Sequence, residues 1–361
     1  MLDFTSSLYL GLRHPSRALL PWEWLTTGIP AALREAPAAA RVAAGLAELQ
    51  RCERAILARS TLHGFVDTFD VLVRPGAGVL VDAGAYPIAR WGIERVAGRG
   101  HPVVTFGHHD PGALERALDQ PALHARRPLV VCDGLCPGCG GIAPLAAYRR
   151  LVQPRGGLLI VDDTQALGVL GREPGPGDPY GHGGGGTPAW CGLAGPGVLV
   201  VSSLAKGFGV PIAVLAGDAW VIDRIEGRGP TRSHASPPSA ADLHAAAHAL
   251  GLNARDGRRR RRRLAALVQG LRQRLAADGV ELVGESFPVQ SLPAMPDPVA
   301  ARLHDRLLAA GVRTVLQRPR CAPGATVTLL VSAGHSRRDI DRAADALAAT
   351  VAAPLLARAA S

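Results

Sequence analysis

Lysine is nearly missing from this 361-residue chain: of 40 basic residues a single one, Lys206, is lysine, and the other 39 are arginine. Aromatic residues make up only 4%, and no nucleic-acid reading motif accompanies the basic charge, which disfavours DNA and RNA as partners. Six cysteines (Cys52, Cys132, Cys136, Cys139, Cys191, Cys321) are too sparse for a disulfide scaffold, so reduced thiols are expected. Hydrophobic residues reach 47%, yet no apolar run approaches the roughly 20 residues that span a bilayer, so no membrane association is expected. The opening MLDFTSSLYLGLRH lacks a charged segment followed by an apolar one and a cleavage site. A cytoplasmic location is the resulting expectation. The formal charge of +10 and the pI near 10.1 point to an acidic partner: a phosphate-rich cofactor, an acidic carrier or a nucleic acid.

Codon bias toward arginine explains the other 39 positions, where only a surface charge is wanted. It does not explain Lys206, because a guanidinium stays protonated and cannot serve as an amine nucleophile. The segment GVLVVSSLAKGFG (197–209) reads as a buried strand that opens into a loop carrying the lysine. Upstream, GGLLIVDD (156–163) reads as another buried strand with a carboxylate at its end, where open α/β sheets place ligands. A nucleophilic amine and a buried carboxylate are the two halves of a pyridoxal 5′-phosphate (PLP) site. The lysine would hold the cofactor as a Schiff base, and the carboxylate would keep its pyridine nitrogen protonated.

At this point the chain resembles the α-oxoamine synthase family, the 8-amino-7-oxononanoate synthase-like enzymes of the class I/II aminotransferase fold. LDFTSSLYLGL is similar to that family's N-terminal signature, and GGIAPLAAYRRLVQPRGGLLIVDDTQALGVLG (140–171) to its central block. SSLAKGFGVPIAVLAG is similar to the lysine block, SHASPPSAADLHAA (233–246) to the double-proline segment, and VSAGHSRRDIDRAADAL (331–347) to the C-terminal helix entry. The resemblance implies Lys206 as the Schiff-base lysine and Asp162 as the pyridine-nitrogen partner, with Asp163 on the other strand face. It implies Tyr86 stacked on the ring, with a buried-surface tyrosine as the alternative. Ser60, Thr61 and Leu62 would form a phosphate cup at a helix N-terminus, with an ordinary N-cap as the alternative for either hydroxyl. Ser203 would add a hydroxyl, Asp133 an acid near the cofactor, and His234 or Ser236 a contact to the neighbouring subunit's phosphate in a homodimer.

The same resemblance shows departures. Gln165 stands where the family has a histidine, and glutamine cannot shuttle a proton near neutral pH. Thr328 stands where an arginine grips the substrate carboxylate, and Arg318 nearby could replace it, with an exposed arginine as the alternative. The substrate loop near residues 25–38 is TTGIPAALREAPAA, and Ser7-Leu8 replace the usual Asn-Asp, so substrate recognition is expected to differ.

Other signals compete. Cys132, Cys136 and Cys139 have CxxxCxxC spacing but lack the aromatic expected before the third cysteine of a radical S-adenosylmethionine cluster. Small thiols in a tight loop, and no metal, is the reading adopted. Arg258 to Arg263 read as a solvated helix face, or alternatively as a dock for an acidic thioester carrier. PYGHGGGGTPAW (179–190) reads as a surface loop.

The fold expected is α/β: the PLP-dependent transferase fold type I, with a large, open, mainly parallel sheet and a small α+β C-terminal domain. Strands are expected at 55–58, 79–82, 102–106, 128–133, 157–162 and 198–203. An N-terminal arm would cover 1–25, the PLP-binding domain 26–235 and the small domain 236–361, with the cofactor between the two. The function implied is decarboxylative condensation of an amino-acid-like amine with an acyl thioester, carried by coenzyme A or acyl carrier protein. Transamination, aldol-type or elimination chemistry, or a non-catalytic subunit, are the rivals.

Overall fold

The computed structural model describes residues 1–193 and 195–352. Its contacts group the chain into two compact units, one of residues 12–135 and 142–258, the other of 1–11, 136–141 and the chain from 259 onward. The division falls inside one 38-residue helix, Ala240–Ala277, whose start is capped reciprocally by Ser239 and Asp242. Pro237-Pro238 interrupt the chain just before this helix. Its first half nevertheless stays with the larger unit, where Asn253 donates to Gly183 O (2.9 Å) and Arg258 pairs with Asp178.

The larger unit is built on a seven-stranded sheet. In spatial order its strands are Arg54–Ala58, Ala213–Gly217, Val198–Ser203, Leu158–Asp162, Arg127–Asp133, Ala77–Asp82 and Val103–Phe106. The last five run parallel, while Ala213–Gly217 is antiparallel to both of its neighbours. All six expected strands are present; Ala213–Gly217, just past the lysine loop, is the addition.

The strands read as continuous apolar runs because both sheet faces are buried. Alternate residues enter opposite cores, as the twofold period of a strand requires. Val79, Val81, Leu129, Val131, Leu158, Ile160, Leu199 and Val201 pack with Phe65 and Phe69 on one side. Leu80, Val130, Leu159, Val161 and Val200 pack with Phe106 and Tyr148 on the other. Cys132 lies in this second core, fully buried.

The smaller unit has a three-stranded antiparallel sheet, ordered Val315–Gln317, Thr326–Leu330, Val289–Ser291. Helices Asp297–Ala309 and Arg337–Ala352 accompany it, and Leu2–Asp3 pairs in parallel with Val312–Arg313. Tyr9 meets Phe287 edge-on and Phe4 stacks on His335, which anchors the N-terminal segment in this unit. No helix among the described residues is long and apolar enough to cross a membrane.

Two surface readings change. The 179–190 segment is mostly buried: Gly186 has φ +90° and donates to Leu170 O (2.8 Å), and the amide of Thr187 donates to Asp163. Glycine here buys close approach, since a Cβ on Gly186 would lie 1.7 Å from Asp163 Oδ2. The arginine run is not simply a solvated face either. Arg261 is buried, Arg260 donates to the carbonyls of Leu10 and Gly11, and Arg263 donates to those of Ala333 and His335. Arg259, Arg260 and Arg263 also line a cavity of about 230 Å³ with Ala333.

Candidate active site

Strands in a parallel sheet deliver their C-terminal ends to one edge, and this edge of the larger unit collects the chemistry. Asp133 and Asp162 end adjacent strands in direct register, and Ser203 ends the next one. Lys206 follows three residues later, in a loop that closes on itself through Leu204 N–H to Ile212 O (2.8 Å) and Phe208 N–H to Leu204 O (3.2 Å).

Thr164 ties this edge together. Its amide donates to Asp162 Oδ1 (3.1 Å), and its Oγ1 accepts from the Ser203 amide (3.0 Å). Ser203 Oγ in turn accepts from the Ala205 amide (3.2 Å), next to the lysine. Thr164 was not singled out from the sequence. The available signal was a hydroxyl immediately after a strand-ending carboxylate pair, in a position that favours local side-chain to backbone bonds.

Burial depresses the Lys206 amine below its ordinary range, and the charge of Asp162 only partly restores it. Burial likewise raises Asp162, opposed by the Thr164 hydrogen bonds and by Lys206. Asp133 is held well above the carboxylate range by burial and by the neighbouring charge of Asp162. Carboxyls at the ends of adjacent strands oppose each other's ionisation, more strongly at Asp133 than at Asp162, which Lys206 and the Thr164 hydrogen bonds favour as the charged form. Asp163 points to the other face, where burial lifts it to about 7 against the donation from Thr187.

The remaining expected residues are distributed around this edge and beyond it. Tyr86 is the N-cap residue of helix Pro87–Ala97, its ring half exposed and its amide donating to Asp133 Oδ1 (3.0 Å). Ser60 is the N-cap of helix Thr61–Leu72: Oγ accepts from the His63 amide and meets His63 Nδ1 at 2.8 Å. Thr61 and Leu62 therefore occupy the first turn, where backbone N–H groups have no partner within the helix. Gln165 is half-buried beside Thr164. His234 is exposed at the end of helix Pro230–His234.

Arg318 belongs to the smaller unit, exposed, with Nε donating to Asp297 Oδ2 at 2.7 Å. Thr328, in the same unit, is buried and bonded to Ser291 and Gln317. Sequence reasoning also missed Asp82, a buried carboxylate that accepts from His108 Nδ1 (2.6 Å), the amides of Gly84 and His109, and Tyr148. Burial works against its charge, but His108 and these amides hold it below the ordinary range.

This fold and edge define a PLP-dependent enzyme of fold type I. Residues 25–347 match the family described as aminotransferase class I and II, and the chain belongs to that family. It is 31% identical over 312 residues to the 8-amino-7-oxononanoate synthase of Halorhodospira halophila, covering 85% of this chain and 73% of that protein. To the enzyme of the same name from Aromatoleum aromaticum it is 32% identical, over 84% of this chain and 75% of that protein. Among solved structures, a serine palmitoyltransferase from S. paucimobilis carrying a PLP–myriocin aldimine superposes with a TM-score of 0.82. It is 19% identical, over 96% of this chain and 86% of that one. The 8-amino-7-oxononanoate synthase of Francisella tularensis gives 0.75 at 18% identity, over 97% and 98%.

The residues present fit the family's cofactor. A half-buried amine whose basicity burial lowers suits attack on an aldehyde, and a buried carboxylate whose charge burial opposes is stabilised by a protonated ring nitrogen.

Proposed function

We propose that this protein is a PLP-dependent acyltransferase that condenses an amino-acid-like amine with an acyl thioester, with loss of carbon dioxide. The observation that carries this reading is Lys206: the only lysine of the chain, half-buried, its basicity lowered by burial against the opposing charge of Asp162, in a family whose named relatives here are 8-amino-7-oxononanoate synthases. When bound, PLP supplies an electron sink for negative charge developing beside the amine nitrogen.

Lys206 Nζ would hold the cofactor covalently and would also serve as the base that takes the proton from the carbon beside the substrate amine. Its depressed basicity suits that task, since a general base works best with a pKa near the operating pH. Asp162 would hold a proton on the ring nitrogen, and Thr164 fixes the carboxylate that does so. Asp133 would anchor the Tyr86 backbone so that the ring stacks on the cofactor. The first-turn amides after Ser60, with Thr61, Leu62 and Ser203, would receive the phosphate, and Gln165 would donate to the ring oxygen without moving a proton. Arg318 would exchange Asp297 for the substrate carboxylate, a chemically equivalent partner. The enzyme would act in the cytoplasm as a homodimer, His234 reaching the partner subunit's phosphate.

The test is coenzyme A release by the PLP-loaded protein, with an acyl-coenzyme A and a panel of amino acids. The expected result is thiol release that requires one amino acid and is matched by an equal amount of carbon dioxide. Amino-group transfer to a keto acid without thiol release would place the protein among the transaminating members instead.

A further inference from the structure

Cys136 and Cys139 open and close the segment Cys136-Pro137-Gly138-Cys139, and the smaller unit brings Cys321 to it from 182 residues further along the chain. The three Sγ atoms lie within 4.8 Å of one another. Cys136 is almost wholly buried, and the other two are half-buried.

Both sides of this cluster are held independently of the thiols. Gly140 N–H donates to Cys136 O (2.9 Å) and Cys136 N–H to Gly141 O (2.9 Å), which closes the first loop. Gln317, four residues before Cys321, donates from Nε2 to Pro137 O at 3.1 Å. Gly138 is required between them, because a Cβ there would stand 2.7 Å from Cys321 Sγ and 2.7 Å from Pro319 Cβ. A backbone shaped to bring three sulfurs together is more than cysteines need for packing.

We propose that Cys136, Cys139 and Cys321 supply three thiolate ligands of a zinc site. A Cys-x-x-Cys pair plus a distant cysteine is the ligand spacing of structural zinc. Zn–S bonds of about 2.3 Å in tetrahedral geometry put sulfurs about 3.8 Å apart, within the span seen here. Each ion would displace three thiol protons to solvent, and no electron transfer is involved.

The rival for a Cys-x-x-Cys pair is thiol–disulfide exchange, which needs an exposed sulfur of depressed pKa. Here Cys136 is almost wholly buried and neither Cys139 nor Cys321 is exposed, so no sulfur is presented for exchange with an incoming thiol. Cys132, the third member of the sequence triplet, is instead a core residue of the larger unit.

The experiment uses the full chain loaded with PLP. Zinc is measured by mass spectrometry after dialysis against zinc sulfate and then against metal-free buffer, and Co(II) is substituted to read thiolate-to-metal charge-transfer absorption. One zinc per chain and intense cobalt–thiolate bands are expected. Both should be lost in Cys321→Ser and in Cys139→Ser, and kept in Cys52→Ser. The cobalt spectrum of the wild-type protein decides the matter even if a variant fails to fold. Absence of thiolate bands there, bands that survive Cys321→Ser, or a Cys136–Cys139 disulfide trapped from freshly purified, metal-free protein would each overturn the proposal. PLP absorbance, followed in parallel, reports separately on the Lys206 site.

Discussion

A chain that writes 39 of its 40 basic residues as arginine and spares one lysine marks that lysine for chemistry arginine cannot do. Lys206→Arg should therefore behave like Lys206→Ala. After borohydride reduction and digestion, PLP should be found on the peptide containing residue 206 in the wild-type protein and on no peptide of either variant. Retained fixation in the arginine variant would mean that a group other than Lys206 holds the cofactor. Asp162→Asn should keep cofactor attachment but lower turnover on the order of 10³-fold, as when one preorganised electrostatic contact is removed. Steady-state rates at saturating PLP would measure it, and a loss under tenfold would mean another group holds the ring proton. Asp163 makes a different prediction, about stability. Folded Asp163 keeps its proton to about pH 7, whereas the unfolded chain loses it near 3.8. Between those values the unfolded state binds fewer protons, so this group lowers stability as pH rises and adds no further change above the window. Asp163→Asn does not titrate and can still accept from Thr187. Denaturation midpoints of the two proteins should therefore diverge in the variant's favour from pH 5 to 7, by up to about 1.4 kcal/mol per unit.

Elements were legible where burial imposes composition. Runs such as Leu158–Asp162 and Val198–Ser203 are apolar up to their ends because both faces of the sheet are covered, and their carboxylate and hydroxyl ends read from the sequence as ligand positions. Ala213–Gly217 escaped notice because its two alanines and terminal glycine carry little apolar weight and it follows the lysine loop too closely to look like a separate strand. Residues 179–190 failed for the opposite reason: glycine density reads as surface freedom, yet these glycines serve close packing around Asp163. Gly186→Ala tests that difference. Its φ of +90° is strained for alanine, and the new Cβ would strike Asp163. The two costs together should remove about 3 kcal/mol or more of stability, read by urea denaturation. A loss below about 1 kcal/mol would mean that the loop yields, as a surface insertion would.

At the scale of the whole molecule the question is what a net charge of +10 does, and whether the arginine run concentrates it for a partner. Sequence alone could not separate the two, because six adjacent arginines look the same whether their guanidinium groups meet solvent, a carrier or the protein's own carbonyls. The structure assigns several of them to internal acceptors: Asp178 for Arg258, Leu10 and Gly11 for Arg260, Ala333 and His335 for Arg263. Those carbonyls would lose donors that water replaces only in part. Arg263→Gln should then cost about 2 kcal/mol of stability, at roughly 1 kcal/mol for each of its two bonds, while leaving the KM for an acyl-coenzyme A donor unchanged. Salt should still raise that KM in wild-type and variant alike, since the remaining arginines attract an anionic donor until screening at about 0.1 M limits their reach to about 10 Å. Parallel urea denaturation and steady-state kinetics at two salt concentrations separate the alternatives. If Arg263→Gln raises KM severalfold and abolishes the salt dependence with stability intact, the run is a docking site after all, with the cavity lined by Arg259, Arg260 and Arg263 as its centre. Stability lost with KM held means these arginines fasten the chain to itself, and the attraction of an acidic substrate belongs to the surface as a whole.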